Sequence, residues 1–380
     1  MSNVTWGSGT NTAKATATVK RLADTAENRA ALKKQAAQDK LPSALVDLGD
    51  QVALVSSGQM ETQSRVARSM GPVVKAGDTL KIDGAAGSVL FTDDGFAEID
   101  AKDVVVAVID TGIDTKHPAF EGRLVKPYNA VDGSTNVEDT QGHGTHCAGI
   151  IAGSWDIRED AAGVAPNVKI MPIKAADGAS FSNGAIVKGI RYAVDNGAKV
   201  ISMSLGGPMI QPSVHKAIEY ARSKGVMVLV ASGNESQDKV SFPARYEEGL
   251  AVGSSKDGKR SSFSNGGEHL DLSAPGERIL APVPGQTYGA KSGTSMATPY
   301  AAGAAALVIA QHPDWTVSQV TEHLKRAVND RGTPGWDKDF GYGEVNLFKA
   351  VYGKDLPEVK RETPVKKPLW EKVLSFFNLY

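Results

Sequence analysis

From residue 103 onward the chain alternates short unbroken apolar runs with longer stretches whose apolar residues recur every three or four positions. The first run is Val104, Val105, Val106, Ala107, Val108 and Ile109. Such a β-branched run, with no polar residue alternating through it, suits a strand buried on both faces of a parallel sheet. Runs at 168–174, 200–205 and 226–231 repeat the signal. Between them, Ile186, Ile190, Ala193 and Val194, and then Val214, Ala217, Ile218 and Ala221, share one face of a helix. The order strand, helix, strand, helix predicts a doubly wound, mostly parallel α/β sheet with helices on both faces and right-handed crossovers. Residues 301–306 are all Ala or Gly, which makes a narrow helix that other elements can approach closely. Val317, Val320, Leu324 and Val328 mark one more helix.

The ends of the chain have a different texture. Residues 1–42 are rich in Ala, Thr and Lys, with a weak helical face through Val19, Leu22, Ala26 and Ala30, and read as a helical or disordered arm. Residues 43–97 turn strand-like at 52–55, 79–82 and 88–91, the last two joined by Gly84, Ala85, Ala86 and Gly87, with a short helix at 61–70. This predicts a small α/β unit with too few apolar residues to be an enzyme core. The large domain is expected over 98–353. Residues 354–368, rich in Pro, Lys and Glu, read as a linker. After them Leu369, Trp370, Val373, Leu374, Phe376, Phe377, Leu379 and Tyr380 crowd a stretch able to form a helix. That apolar surface needs covering, by this chain's own large domain or by a partner.

Composition narrows the classes. With 380 residues, 41% hydrophobic and 22% charged, the chain can bury one large core and something smaller. A formal net charge of −1 gives no electrostatic footprint for nucleic acid or anionic lipid. One cysteine, Cys147, excludes an intramolecular disulfide. No stretch reaches transmembrane length, and the first thirty residues lack the apolar core of a signal peptide. The expected compartment is therefore cytoplasmic, with export by another route left open.

Candidate chemistry sits where strands and helices end. Asp110 closes the first strand, and ligands of open α/β sheets gather beyond the carboxyl ends of strands; a carboxylate capping the turn at Thr111 and Gly112 would explain it equally. His143 stands between Gly142 and Gly144, which let its ring and backbone enter a crowded site, although a lone histidine is more often structural. His146 raises zinc as a rival, but no further Cys, Glu or His nearby completes a tetrahedron, so packing and hydrogen bonding suit it better. Asn234 follows the strand at 226–231 and reaches the same sheet edge as Asp110; Gly233 and Asn234 are also an ordinary turn pair. Ser295 lies where a glycine-loosened turn enters the Ala-rich helix. Free N–H groups there would stabilise negative charge on a carbonyl beside it. Pro299 is expected so early in that helix that it costs no hydrogen bond.

Together, Asp110-Thr111-Gly112, Gly142-His143-Gly144-Thr145-His146, Ser232-Gly233-Asn234 and Gly293-Thr294-Ser295-Met296-Ala297-Thr298-Pro299 resemble the signatures of the subtilisin-like serine proteases, the subtilases, in their order of Asp, His and Ser. The resemblance covers residues 103–353. His143 to Gly149 and Arg260 to Asn265 are similar to the proteinase K branch. It implies a subtilisin-like fold and a serine endopeptidase acting on protein or peptide. Ser295 would attack the carbonyl, His143 would carry its proton, Asp110 would fix the imidazole, and Asn234 with the Ser295 N–H would form the oxyanion hole. It further implies that Ser204, Leu205 and Gly206 on one side, and Gly178, Ala179 and Ser180 on the other, pair with an extended substrate. Ser204 to Gly206 and Ala231, Ser232 and Gly233 would wall the primary pocket, with Ser241 near its floor and Phe181 in a second pocket. No charge stands among these residues, so cleavage after apolar or aromatic residues is expected. Phe242-Pro243 is a cis candidate.

The departures concern metal and tails. Many subtilisins have His-Pro-Asp where this chain reads His117-Pro118-Ala119, and their Asn-rich calcium loop is absent between Gly153 and Gly163. Structural calcium is therefore not assignable, and none is needed for the chemistry; Asp156, Glu159 and Asp160 form an acidic surface in that loop that a cation would suit. Cys147 reads as a small buried residue near His143. Residues 43–97 suit a removable prodomain or a permanent regulatory module. Two rivals stay open: a catalytically silent subtilase used for binding or assembly, and an α/β-hydrolase esterase, whose serine would precede Asp and His.

Overall fold

The computed structural model describes residues 99–154, 161–178 and 180–353, with four strand segments before residue 58. These fall into two separate units. The first holds strands β1 (Ser2–Trp6), β2 (Ala15–Ala23), β3 (Ser43–Asp47) and β4 (Gln51–Ser57), all antiparallel, in the order β1-β2-β4-β3. Val19 and Leu22, part of the helical or disordered arm expected over 1–42, lie in strand β2, and residues 24–42 lie outside the described residues. The segment Ala-Thr-Ala-Thr-Val-Lys alternates with period two, and its β-branched Thr and Val are stiff at χ1 and favour the pleat. The sheet also crosses the expected boundary at 42, since β2 pairs with β4 along its length. The strands expected at 79–82 and 88–91, the helix at 61–70, the linker and the apolar tail lie outside the described residues.

The second unit is built on one large sheet. In chain order its strands are β5 (Val105–Asp110), β6 (Tyr128–Asn129) and β7 (Lys169–Lys174), then, after the ribbon β8 (Ala176–Asp177) and β9 (Ser180–Phe181), β10 (Val200–Met203), β11 (Met227–Ala231), β12 (Leu250–Lys256), β13 (Lys259–Arg260) and β14 (Leu272–Pro275). The hairpin β15 (Ile279–Val283) and β16 (Thr287–Lys291) stands apart, and β17 (Val328–Asn329) and β18 (Glu344–Val345) complete the edge. The spatial order is β17-β18-β14-β12-β11-β10-β5-β7-β6, parallel except where β13 and β17 pair. From β5 the chain moves to β7 on one side and then to β10 on the other. The sheet's switch point therefore lies beside the end of β5, where α/β folds leave a crevice.

Helices α1 (His143–Ala152), α4 (Thr294–Gln311), α5 (Val317–Arg326) and α6 (Leu347–Tyr352) share one core, and α2 (Asn183–Asp195) and α3 (Pro212–Ser223) share the other. The pleat divides the strands between them: Val106 and Val108 face the first core, Ala107 and Ile109 the second. The buried face of α3 is Val214, Ala217, Ile218 and Ala221, the four residues its periodicity marks. Helix α4 is buried all round, as expected of a helix that is apolar on every face and runs through a core. Helix α5 ends at Arg326, short of the expected Val328, which pairs with Val345 in the edge strands. Among the described residues no helix is long and apolar enough to cross a membrane.

Ile109 is fully buried and packs over Gly189 of α2. Ile109→Ala should lower the unfolding free energy by about 2–5 kcal/mol. Urea unfolding measures this, and a loss well under about 1 kcal/mol would mean that the surrounding side chains close the space.

Candidate active site

Asp110, the last residue of β5, is 1% exposed. Its Oδ1 accepts hydrogen bonds from the Thr111 N–H at 2.7 Å and from His143 Nδ1 at 2.7 Å, while its Oδ2 is buried without a protein partner. His143 is the first residue of α1, with its side chain 29% exposed, so one ring edge is fixed and the other meets solvent. The approach is possible because the next residue is glycine: a β-carbon on Gly144 would lie 2.2 Å from the Gly112 carbonyl oxygen and 3.0 Å from Asp110 Cβ.

A second carboxylate, one the sequence reading passed over, organises this junction. Asp139 is buried and accepts from the Thr111 hydroxyl at 2.9 Å, the N–H groups of Gln141 (2.9 Å), Gly142 (2.8 Å) and Thr145 (2.9 Å), and the Thr145 hydroxyl (2.6 Å). Burial alone would raise its pKa, but the bonds from Thr145, Gly142 and Gln141 outweigh it and hold the carboxyl below its ordinary value. The Thr111 hydroxyl accepts in turn from the Gly144 N–H at 2.8 Å. Lys174, beside Asp110 in the β5–β7 register, donates to the carbonyls of Thr111 and Glu138 at 2.8 Å each. A carboxylate four residues before a helix start, in a polar Asp-Thr-Gln-Gly stretch, was the signal available.

Ser295 is the second residue of α4. Pro299 stands inside this helix, and its missing N–H is the one that would have bonded the Ser295 carbonyl. The early-position reading of Pro299 is thus corrected. The released carbonyl accepts from the Ser204 hydroxyl at 2.8 Å and from Cys147 Sγ at 3.4 Å, while the Ser295 hydroxyl donates to the Ser204 carbonyl at 3.4 Å. Cys147 is fully buried, with its sulphur also 3.9 Å from His143 Nδ1, so it touches both α1 and α4 partners. Burial pushes its thiol up. The Cys147 sulphur and the Asp110 carboxylate both raise the His143 pKa, against burial.

Asn234 is exposed, and its Oδ1 accepts from the Thr294 N–H at 2.8 Å and the Thr294 hydroxyl at 3.0 Å. Its side-chain Nδ2 is left without a partner among the described residues. Thr294 is another residue the sequence reading did not single out. The turn before Asn234 requires glycine: Gly233 has φ +110°, and a β-carbon there would lie 2.2 Å from Asn265 Nδ2. Buried Asn265 binds the Glu235 and Gln237 N–H groups through Oδ1 at 3.0 Å each, and Glu235 Oε2 through Nδ2 at 2.6 Å.

Of the expected substrate residues, Gly206 lies against Ser241 and Ala231, and the Ser241 N–H donates to the Ser232 carbonyl at 2.9 Å. Ser204 and Leu205 are buried and Gly206 exposed. Gly178, Ser180 and half-buried Phe181 belong to the β8–β9 ribbon, while Ala179 lies outside the described residues. Phe242-Pro243 is cis, as the resemblance implied. Glu235, which is not among the expected substrate residues, brings its Oε2 to 3.5 Å from the Ser241 hydroxyl and 3.1 Å from the Asn234 main-chain nitrogen. The sequence places Glu235 one residue beyond the recognised motif, and only the fold turns it back.

His146 is fully buried and shares its Nε2 proton between the carbonyls of Ile279 and Gly289 at 3.0 Å each, fastening the β15–β16 hairpin to α1. Burial lowers its pKa to about 4. Among the described residues, those at the calcium site the family implies do not fit such an ion. Ala119 brings no carboxylate, and the carbonyls of Ala119, Ala152 and Pro166 are taken by the Arg123 guanidinium. Asp156, Glu159 and Asp160 lie outside the described residues. Among the described residues, His215, Glu219 and Glu248 bring three potential metal-binding atoms together, engaged here through a 2.8 Å hydrogen bond between His215 Nε2 and Glu248 Oε2.

Known proteins give this chain a family. Residues 101–343 match the subtilase family, Peptidase S8. The chain is 38% identical over 249 residues to thermitase of Thermoactinomyces vulgaris, covering 65% of this chain and 88% of that one. It is 40% identical over 257 residues to subtilisin E of Bacillus subtilis, covering 66% of each. A cold-adapted subtilisin-like serine proteinase superposes with a TM-score of 0.59 at 35% identity, over 67% of this chain and 90% of the other. The chain belongs to the subtilase family and is a serine endopeptidase. The narrower likeness to the proteinase K branch rests on its two motifs alone.

Because the pKa of His146 is lower in the folded protein than in the unfolded chain, the unfolded chain binds the extra proton between roughly pH 6.5 and 4. Stability is therefore lost as pH falls through that window. In a Ser295→Ala background, adding His146→Gln should reduce the stability lost between pH 7 and 4.5 by about 2 kcal/mol, read by urea unfolding at both pH values. An unchanged loss would count against the buried neutral imidazole.

Proposed function

We propose that Ser295 is the nucleophile, His143 the general base and acid, and Asp110 the group that orients the imidazole. The observation that carries this reading is the 2.7 Å bond from His143 Nδ1 to buried Asp110, with Ser295 linked to the same helix through Cys147. With Nδ1 donating to Asp110, the ring in its neutral form presents its lone pair at Nε2. There it accepts the Ser295 proton as Oγ bonds to the substrate carbonyl carbon, and later delivers it to the leaving amine. The developing oxyanion falls to the Asn234 amide nitrogen, which Thr294 orients by holding Oδ1, and to the Ser295 N–H, which as the second of a helix has no carbonyl to bond.

The substrate is a peptide in extended form between Ser204, Leu205, Gly206 and the β8–β9 ribbon. Its P1 side chain enters the pocket walled by Ser204 to Gly206 and Ala231 to Gly233. Those walls suit apolar and aromatic P1 residues, and Glu235 beside Ser241 makes a cation at the pocket's end acceptable and an anion unfavourable.

Ser295→Ala should abolish peptide cleavage, whereas Asn234→Ala should leave a remnant with kcat reduced roughly 10²–10³-fold, the range seen when subtilisin loses its oxyanion asparagine. Steady-state kinetics on a peptide substrate checks both, and full activity in either variant would remove the role. Glu235→Gln should shift the ratio of kcat/KM for P1 Lys over P1 Glu by about tenfold toward Glu. A ratio that does not move would detach Glu235 from the pocket.

A further inference from the structure

Arg123 gathers three backbone carbonyls, those of Ala119, Ala152 and Pro166, onto one guanidinium. They come from three separate segments: the turn Pro118–Phe120, the last residue of α1, and the turn that leads into β7. Carbonyl oxygens converging from different segments are the ligands that hard cations take, and their aligned dipoles call for positive charge at the point where they meet. Arginine supplies that charge at every accessible pH, with five donors in a fixed plane. Its own main chain is pinned, the N–H donating to the Phe120 carbonyl at 3.1 Å and the carbonyl accepting from Ile170 at 2.9 Å, so the guanidinium is presented from a fixed base.

We propose that Arg123 is a built-in cation which does here what calcium does for many subtilisins, making this junction independent of metal. The backbone bonds around it define what it locks. Ser154 donates to the Ala119 carbonyl at 3.1 Å, Val164 to Ile150 at 2.9 Å and Ala165 to Ile151 at 2.8 Å. These fasten the far end of α1, whose first residue is His143, to the turn before β6 and to the entry of β7. The arrangement also accounts for Ala119: a carboxylate there would serve a metal, but the guanidinium needs only the carbonyl. The inference rests on family membership and not on the catalytic roles proposed above.

Hydrogen exchange on full-length Ser295→Ala protein, which cannot cut itself, tests this without reference to activity. The amides of Ser154, Val164 and Ala165 should exchange equally slowly in excess EGTA and in excess CaCl2. Arg123→Met, which keeps much of the stem and removes the charge, should speed their exchange about tenfold or more. Faster exchange of these amides in EGTA for the parent would overturn the proposal, as would full protection in Arg123→Met. The chelator comparison needs no variant, so it decides even if Arg123→Met does not fold.

Discussion

The Asp139 carboxylate is the interaction on which the cleft depends. It accepts five hydrogen bonds, two from Thr145, one each from Gln141 and Gly142, and one from Thr111 beyond the end of β5. Those groups belong to a strand end and a helix start that no periodic pattern brings together. A buried carboxylate left short of partners would be costly, so satisfying Asp139 selects one arrangement of both segments. The distance between Asp110 and His143 is then a by-product of a network neither belongs to.

Around this point the architecture is a division of labour. The parallel sheet carries strand ends to one edge, and the two cores on either side keep it rigid. His146 and Arg123 act on α1 from different directions: one holds a hairpin to it through a neutral ring, the other holds its last carbonyl with a permanent charge. The helix that presents His143 is therefore fixed at its beginning, along its side and at its end.

Sequence showed much of this, and what it missed has physical causes. Strands β5, β7, β10 and β11 and helices α2 and α3 were legible because burial on two faces, or on one helical face, writes a periodic apolar signal. Strands β12 and β14 were not, because Ser254, Ser255 and Ser273 are buried there and satisfy or shield their hydroxyls inside the sheet rather than displaying apolar side chains. In β2, Ala, Thr and Lys carry both a faint helical face and a strand alternation, and pairing with β4 decides between them. Asp110, His143, Asn234 and Ser295 stood out through the glycines or small residues beside them. Asp139, Asn265 and Glu235 are single polar residues in loops and Thr294 opens α4, and only long-range contacts disclose their work.

Pro299 has a further consequence. By withholding one N–H it leaves the Ser295 carbonyl to be claimed by Ser204, which follows β10, and by Cys147 in α1, both far away along the chain. A serine whose orientation is borrowed from such distant segments has no settled geometry in a half-assembled chain. The orientation of the residue proposed to attack is thereby set only where the sheet and both helices meet.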